Sequence, residues 1–324
     1  MFSSLTGFMI RIITRLLLYV SLFFLAWYLY RIDYLVLDDI QIHMPWFVAS
    51  CLFLFAGFIL SSFSWGCALR VHGYRISFLH ALISHGLPVF AKYIPGKVWV
   101  ILGRASYVAS EKIPFKIASM VSLKEQLIYL IWGLLISVVP VFIFTGTVWF
   151  GFVILLSAAG IVFVLFSPLF HRLLLNVLGR ILKRPIDIPL INIADALKVS
   201  RMVLLYWTCW IIAFYLLLIS VFYHESTFLM AFAFPVSVTY GVLAVFMPGG
   251  IGIREGILTA FLVAGGMPLE NAVTISILSR LWFIGGEVFM FMVAFSVKIS
   301  GKVFGYTVYP STKQKPNPGN WKYS

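Results

Sequence analysis

Arg280 stands about ten residues into an apolar run over 270–297, and Glu287 follows seven residues later on the same helical face. At about 1.5 Å of rise per residue, that places the guanidinium near the middle of a bilayer. An arginine there costs at least about 2.5–3.5 kcal/mol to insert, so it needs a carboxylate partner or an anionic ligand. Glu255 is a second candidate partner, next to Arg254 and just after Gly249-Gly250-Ile251-Gly252. An earlier apolar stretch repeats the theme. Arg104 follows Gly103, Lys92 and Lys97 flank Pro95-Gly96, and Glu125 lies in the next span. Cationic side chains beside glycine-rich backbone suit a phosphate or carboxylate. The candidate substrate-binding residues are therefore Lys97, Arg104, Gly249, Gly250, Gly252, Arg254 and Arg280, with Glu125, Glu255 and Glu287 as charge partners or proton carriers. The competing reading is that Arg104–Glu125 and Arg280 with Glu287 or Glu255 are internal ion pairs that fix packing.

Other chemistries lack their residues. The six histidines show no metal-ligand spacing, and His80 and His85, five apart, fit packing or interfacial positions. Cys51, Cys67 and Cys209 lie singly in apolar segments. The run from Pro248 to Gly252 lacks the Gly-Lys-Ser/Thr ending of a nucleotide-binding loop, and no nucleophile and base stand together. No catalytic residue, metal or cofactor is expected, and the chain is read as a non-enzyme. Trp207 and Trp210 read as belt or packing residues, and Lys124 as a snorkelling one.

The elements that carry these residues are membrane elements. The chain is 62% hydrophobic and only 11% charged, against about a quarter charged in a soluble domain. Apolar runs at about 12–30, 45–69, 118–145, 148–167, 203–224 and 270–297 approach or exceed the roughly 20 residues that cross a bilayer. The first is read as a span rather than a cleaved signal, since Trp27, Tyr28, Tyr30 and Arg31 form an interfacial anchor. The net charge of +13 follows the membrane and does not point to nucleic acid: Arg70, Arg75, the 168–202 connection and Lys298 onwards are basic, while 31–44 and 146–148 are not. One topology puts every basic loop in the cytoplasm, with both termini there. Residues 1–305 form a single membrane domain, and 306–324 a disordered cytoplasmic tail.

Two leftover apolar stretches, about 79–110 and 228–266, are each broken near the middle by a Pro-Gly pair, Pro95-Gly96 and Pro248-Gly249. In each copy a second proline follows, Pro114 after 19 residues and Pro268 after 20, and then a charged span. This internal repeat, about 12–145 and about 148–297, predicts two re-entrant hairpins whose tips meet near the midplane. The helices starting near Lys97 and Ile251 would point unpaired N–H groups there. With three crossings per half, the second half is inverted. The fold expected is an all-α polytopic membrane protein of six transmembrane helices plus two re-entrant Pro-Gly hairpins; the alternative is eight full crossings.

The run from Tyr93-Ile94-Pro95-Gly96 to Arg104, and the run Met247-Pro248-Gly249-Gly250-Ile251-Gly252-Ile253-Arg254-Glu255-Gly256 with Met267-Pro268 and Arg280, resemble the lysylphosphatidylglycerol synthase membrane domain. This flippase-like superfamily also has stand-alone members, and the resemblance spans about 12–297. It implies movement of a lipid or lipid-linked glycan between leaflets of a bacterial inner membrane. In the synthases a separate soluble domain makes the aminoacylated lipid; here the chain stops soon after the last span, which implies no lysyl transferase activity. The function expected is a lipid flippase or transporter for an anionic phospholipid or a polyprenyl-phosphate-linked lipid. The alternatives are a non-transporting lipid-binding or scaffold subunit working with envelope-biosynthesis enzymes, and a membrane-embedded transferase.

Overall fold

The computed structural model describes residues 41–94, 98–109, 113–146, 148–169, 172–173, 190–244, 247–250 and 252–303. The described residues are all-helical, with no strand among them. Among the described residues nine α-helices run in order: α1 (Met44–Val71), α2 (Phe78–Gly86), α3 (Val98–Val108), α4 (Phe115–Thr145), α5 (Val148–Phe166), α6 (Ile193–Val221), α7 (Ala233–Leu243), α8 (Ile253–Ala264) and α9 (Leu269–Val303). Five of them, α1, α4, α5, α6 and α9, are long and apolar enough to cross a membrane. The span expected over 12–30, the Pro95-Gly96 tip with Lys97, and the tail over 306–324 lie outside the described residues.

Local sequence sets the helix ends. Ser77 starts α2 by accepting from the His80 amide, and Asn192 starts α6 by accepting from the Asp195 amide at 2.7 Å. The Asn192 cap starts α6 at 193, ten residues before the apolar run read at 203, and Lys198 pairs with Asp195 across its first two turns. Gly146 closes α4 in the left-handed region, φ +61°.

Helix directions follow from the contacts. The His43 amide donates to the Ser220 carbonyl, and the Ser50 hydroxyl to the Ala213 carbonyl, so α1 and α6 lie antiparallel. Asn271, at the start of α9, donates to Glu225 just past the end of α6, the end where α1 begins, so α1 and α9 run the same way. Tyr129 stacks on Trp207 at mid-helix, and Glu125, one turn earlier in α4, meets Ser64 toward the end of α1, which lies beside the start of α6; α4 and α6 therefore run the same way. α1 and α6, the long helices that precede the two interrupted stretches, thus oppose each other. Small residues let these helices close on one another: Gly57 faces Trp210, Gly286 faces Phe58, and Gly133 faces Thr239.

Both interrupted stretches fold back on themselves. In the first, the His80 ring meets the Tyr107 carbonyl at 3.1 Å, His85 meets Arg104, and Gly103 packs on Pro88. In the second, Gly265 packs on Met230 and Gly241 on Gly250 and Arg254. The first hairpin opens beside the end of α9, where Lys298 lies over the Tyr107 ring. The second opens at the other end of the bundle, beside the start of α9, where Asn271 donates to Glu225. Their turns meet in between, Gly249 against the Tyr93 ring. Arg70, Arg75, Lys116, Lys198, Arg201 and Lys298 cluster at the end where the first hairpin opens; the other end shows Glu225 and Glu270 and no lysine or arginine among its described residues.

Single cysteines at Ile76 and Lys116 are expected to label from one face of the membrane, and cysteines at Ser226 and Pro268 from the other. Labelling of Ile76 and Lys116 from opposite faces would make the first hairpin a pair of crossings. A valine at Gly86 would place its Cβ 2.6 Å from that of Ala294 and 2.9 Å from the Met290 carbonyl oxygen. Gly86→Val should therefore destabilise the protein by about 1–3 kcal/mol, read as a lower thermal midpoint in detergent.

Candidate functional site

A cavity of about 380 Å³ lies where the two hairpin turns meet α1, α4, α6 and α9. Its lining is largely apolar and aromatic, but Lys92, Arg104, Arg254 and Arg280 all face it, with Glu125 as the lining carboxylate. Four cations in one apolar chamber are costly unless each is compensated, and the geometry shows how most are.

The second hairpin turns on glycine. Gly249, Gly250 and Gly252 have φ of +59°, +75° and +77°, values that L side chains adopt only with strain. Gly249 has a further reason: a Cβ there would lie 2.7 Å from Arg280 Nη2 and 2.8 Å from the Tyr93 ring. Gly250 instead packs on Gly241, where a Cβ would meet the backbone at 2.8 Å. Gly250 and Gly252 are thus turn residues away from the cavity lining, and Gly249 belongs to it.

Arg280 is 2% exposed and ties this turn to α9. Its Nη2 donates to the Gly249 carbonyl at 2.9 Å, and its Nε lies 3.6 Å from a Glu255 oxygen. The other Glu255 oxygen accepts from the Gly252 amide at 2.7 Å, capping α8. Of the two partners expected for Arg280, Glu255 is the one found. Glu287 lies two turns away, about 10 Å along the axis, too far for a direct pair. It pairs with Lys92 and accepts from the Tyr93 hydroxyl at 2.8 Å, fastening the first hairpin to the same helix.

Arg104 makes the expected pair with Glu125, Nη1 to Oε2 at 2.8 Å, and the Ser64 hydroxyl donates to the other oxygen at 3.0 Å. Both side chains are buried, so removing either partner alone strands a charge at a cost of about 3–5 kcal/mol. His85 stands beside Arg104 and Ser61 and lines the cavity, a position its spacing to His80 did not reveal. Arg254 is arranged differently. Its guanidinium lies 4.9 Å from the Phe234 ring centre and 4.6 Å from that of Phe283. Its Nε and Nη2 are buried with no hydrogen-bond partner among the described residues.

Lys92, which the sequence marks only as a flank of the Pro-Gly break, lies inside, on Glu287. Its position three residues before the Pro-Gly break was the available signal. Lys124, read as snorkelling, is buried on α4. Trp207 and Trp210 pack edge-to-face in an aromatic cluster with Tyr129, Tyr206, Phe58 and Phe283, which walls one side of the cavity.

No curated protein and no solved structure gives a match to this chain. The lysylphosphatidylglycerol synthase TM region family matches residues 12–283, most of the sequence and every helix that lines the cavity. With five long apolar helices and this match, the chain is a multi-pass membrane protein that belongs to the lysylphosphatidylglycerol synthase TM region family.

Proposed function

We propose that this protein moves a phosphate-bearing lipid between membrane leaflets, binding the headgroup in the cavity between the hairpin turns while the apolar chains stay in the bilayer. The observation that carries this reading is Arg254, a buried cation with two donors unmet among the described residues, beside three paired cations on one chamber. The rest of the lining supports it. Leu123, Leu127 and Leu130 of α4 face the cavity while half-exposed, as does the exposed Val98 of α3. An apolar flank that reaches the surface suits a chain entering sideways from the bilayer. Family membership supports a lipid-related role.

The topology that goes with this function is an inverted pair of halves, with six crossings and two re-entrant hairpins, in a bacterial inner membrane. The basic end is cytoplasmic. His85, Arg104 and Glu125 lie on the basic side of the meeting turns, and a site open to that side would face the cytoplasm. Rocking of one half against the other would present it to the opposite face. Glu125, Glu255 and Glu287 are the groups available to couple such a movement to protons.

Purified protein in vesicles is expected to accelerate leaflet exchange of a fluorescent anionic phospholipid. Lipid binding without exchange would make the protein a lipid-binding subunit, and formation of a new lipid product would make it a transferase. Arg280→Ala should abolish exchange while the protein still inserts. Arg280→Lys should restore only part of it, since a point charge cannot hold the Gly249 carbonyl and Glu255 together in one plane. Full exchange in a stable Arg280→Ala protein would remove Arg280 from the mechanism. Cysteines at Arg75 and Lys198 should label from the cytoplasm and cysteines at Glu225 and Glu270 from outside; the reverse would invert the orientation.

A further inference from the structure

We infer that the cavity takes a headgroup carrying one phosphodiester, with a single negative charge, in preference to a diphosphate. This rests on the reading of the cavity as a lipid-phosphate site and narrows the ligand it accepts.

The argument is charge balance in a medium that screens poorly. Among the described residues, the cations lining the cavity are Lys92, Arg104, Arg254 and Arg280. Three have a carboxylate in contact: Lys92 has Glu287, Arg104 has Glu125 at 2.8 Å, and Arg280 has Glu255 at 3.6 Å. Lys124 is not among the lining residues. Arg254 is left as the surplus, so the described lining is one positive charge out of balance. Paired cations have little left to offer a ligand, because leaving their carboxylates strands those instead.

The hydrogen bonding points the same way. Nε and Nη2 are the two nitrogens of one guanidinium edge, whose N–H bonds run nearly parallel and match two oxygens of a single phosphate. That edge of Arg254 is the one without a partner among the described residues. Both nitrogens are enclosed in this conformation, so a phosphate meets them when the guanidinium swings from the Phe234 and Phe283 rings into the cavity it lines. One phosphodiester supplies one negative charge and two free oxygens, which answers both deficits. A diphosphate brings at least two charges and would leave the excess buried without a counterion. The phosphodiester occurs in glycerophospholipids and in sugars joined to a prenyl chain through one phosphate, so both are tested.

Binding is measured on the purified protein in neutral detergent with three short-chain probes: dihexanoyl phosphatidylglycerol, a prenyl phosphoryl hexose and farnesyl diphosphate. The expected result is that one of the two phosphodiesters binds about tenfold or more tightly than the diphosphate, and that Arg254→Gln weakens it about tenfold. The tighter of the two identifies the source. Farnesyl diphosphate binding as tightly as the better phosphodiester would overturn the inference, as would Arg254→Gln leaving phosphodiester affinity unchanged. Should Arg254→Gln not fold, Arg254→Lys keeps the charge without the fork: weaker phosphodiester binding with selectivity retained supports the inference, and unchanged binding overturns it. Failure of all three probes to bind, with no leaflet exchange, would sink the reading of the cavity itself. Exchange of phosphate lipids together with a preference for the diphosphate would sink the charge argument alone.

Discussion

An interrupted helix far from water must find partners for the peptide groups it frees, and the architecture follows from that requirement. The turn after α7 breaks the helix at Gly249 and Gly250, and its polar groups are met one by one. The Gly250 amide donates to the Met247 carbonyl, the Gly249 carbonyl accepts from Arg280, and the Gly252 amide donates to Glu255. A buried charge and a broken backbone are each costly alone in apolar surroundings. Here they are placed together, and each offsets the other. That coupling explains why the charged side chains cluster at the hairpin turns, and why the turns sit against one another and not against lipid.

The same economy shapes the aromatic wall. Phe234 and Phe283 lie against the Arg254 guanidinium and offer their ring faces to its charge. A cation held this way has a favourable place for its charge without having its donors met. Arg104 has its terminal nitrogens met, Nη1 by Glu125 and Nη2 by His85, and its pairing with Glu125 fixes α3 on α4.

Much of this was legible in the sequence because its causes are local. Apolar runs marked the five long helices, and Pro248-Gly249 marked the reversal after α7. Arg104–Glu125 and Arg280–Glu255 were readable as pairs because each joins a hairpin to the span that follows it. The start of α6 at 193 was misplaced because hydropathy marks the apolar core of a helix, while Asn192 and Asp195 extend it by capping. The partner of Glu287 was misassigned for a different reason. Helical periodicity puts Arg280 on the same face, but the distance between two turns exceeds the reach of a contact, and Lys92 lies 195 residues away in sequence. The separate roles of Gly249 and Gly250 depend on what faces each one, which spacing does not encode.

Arg280 and Glu287 leave one face of α9 two turns apart, the first holding the second hairpin and the second holding the first. A single stiff rod therefore carries both reversals. A twist of α9 cannot slacken its hold on one turn without altering its hold on the other, so the two turns are coupled through this helix. Any bound group that favours one setting of the rod must, by reciprocity, be held more firmly in that setting.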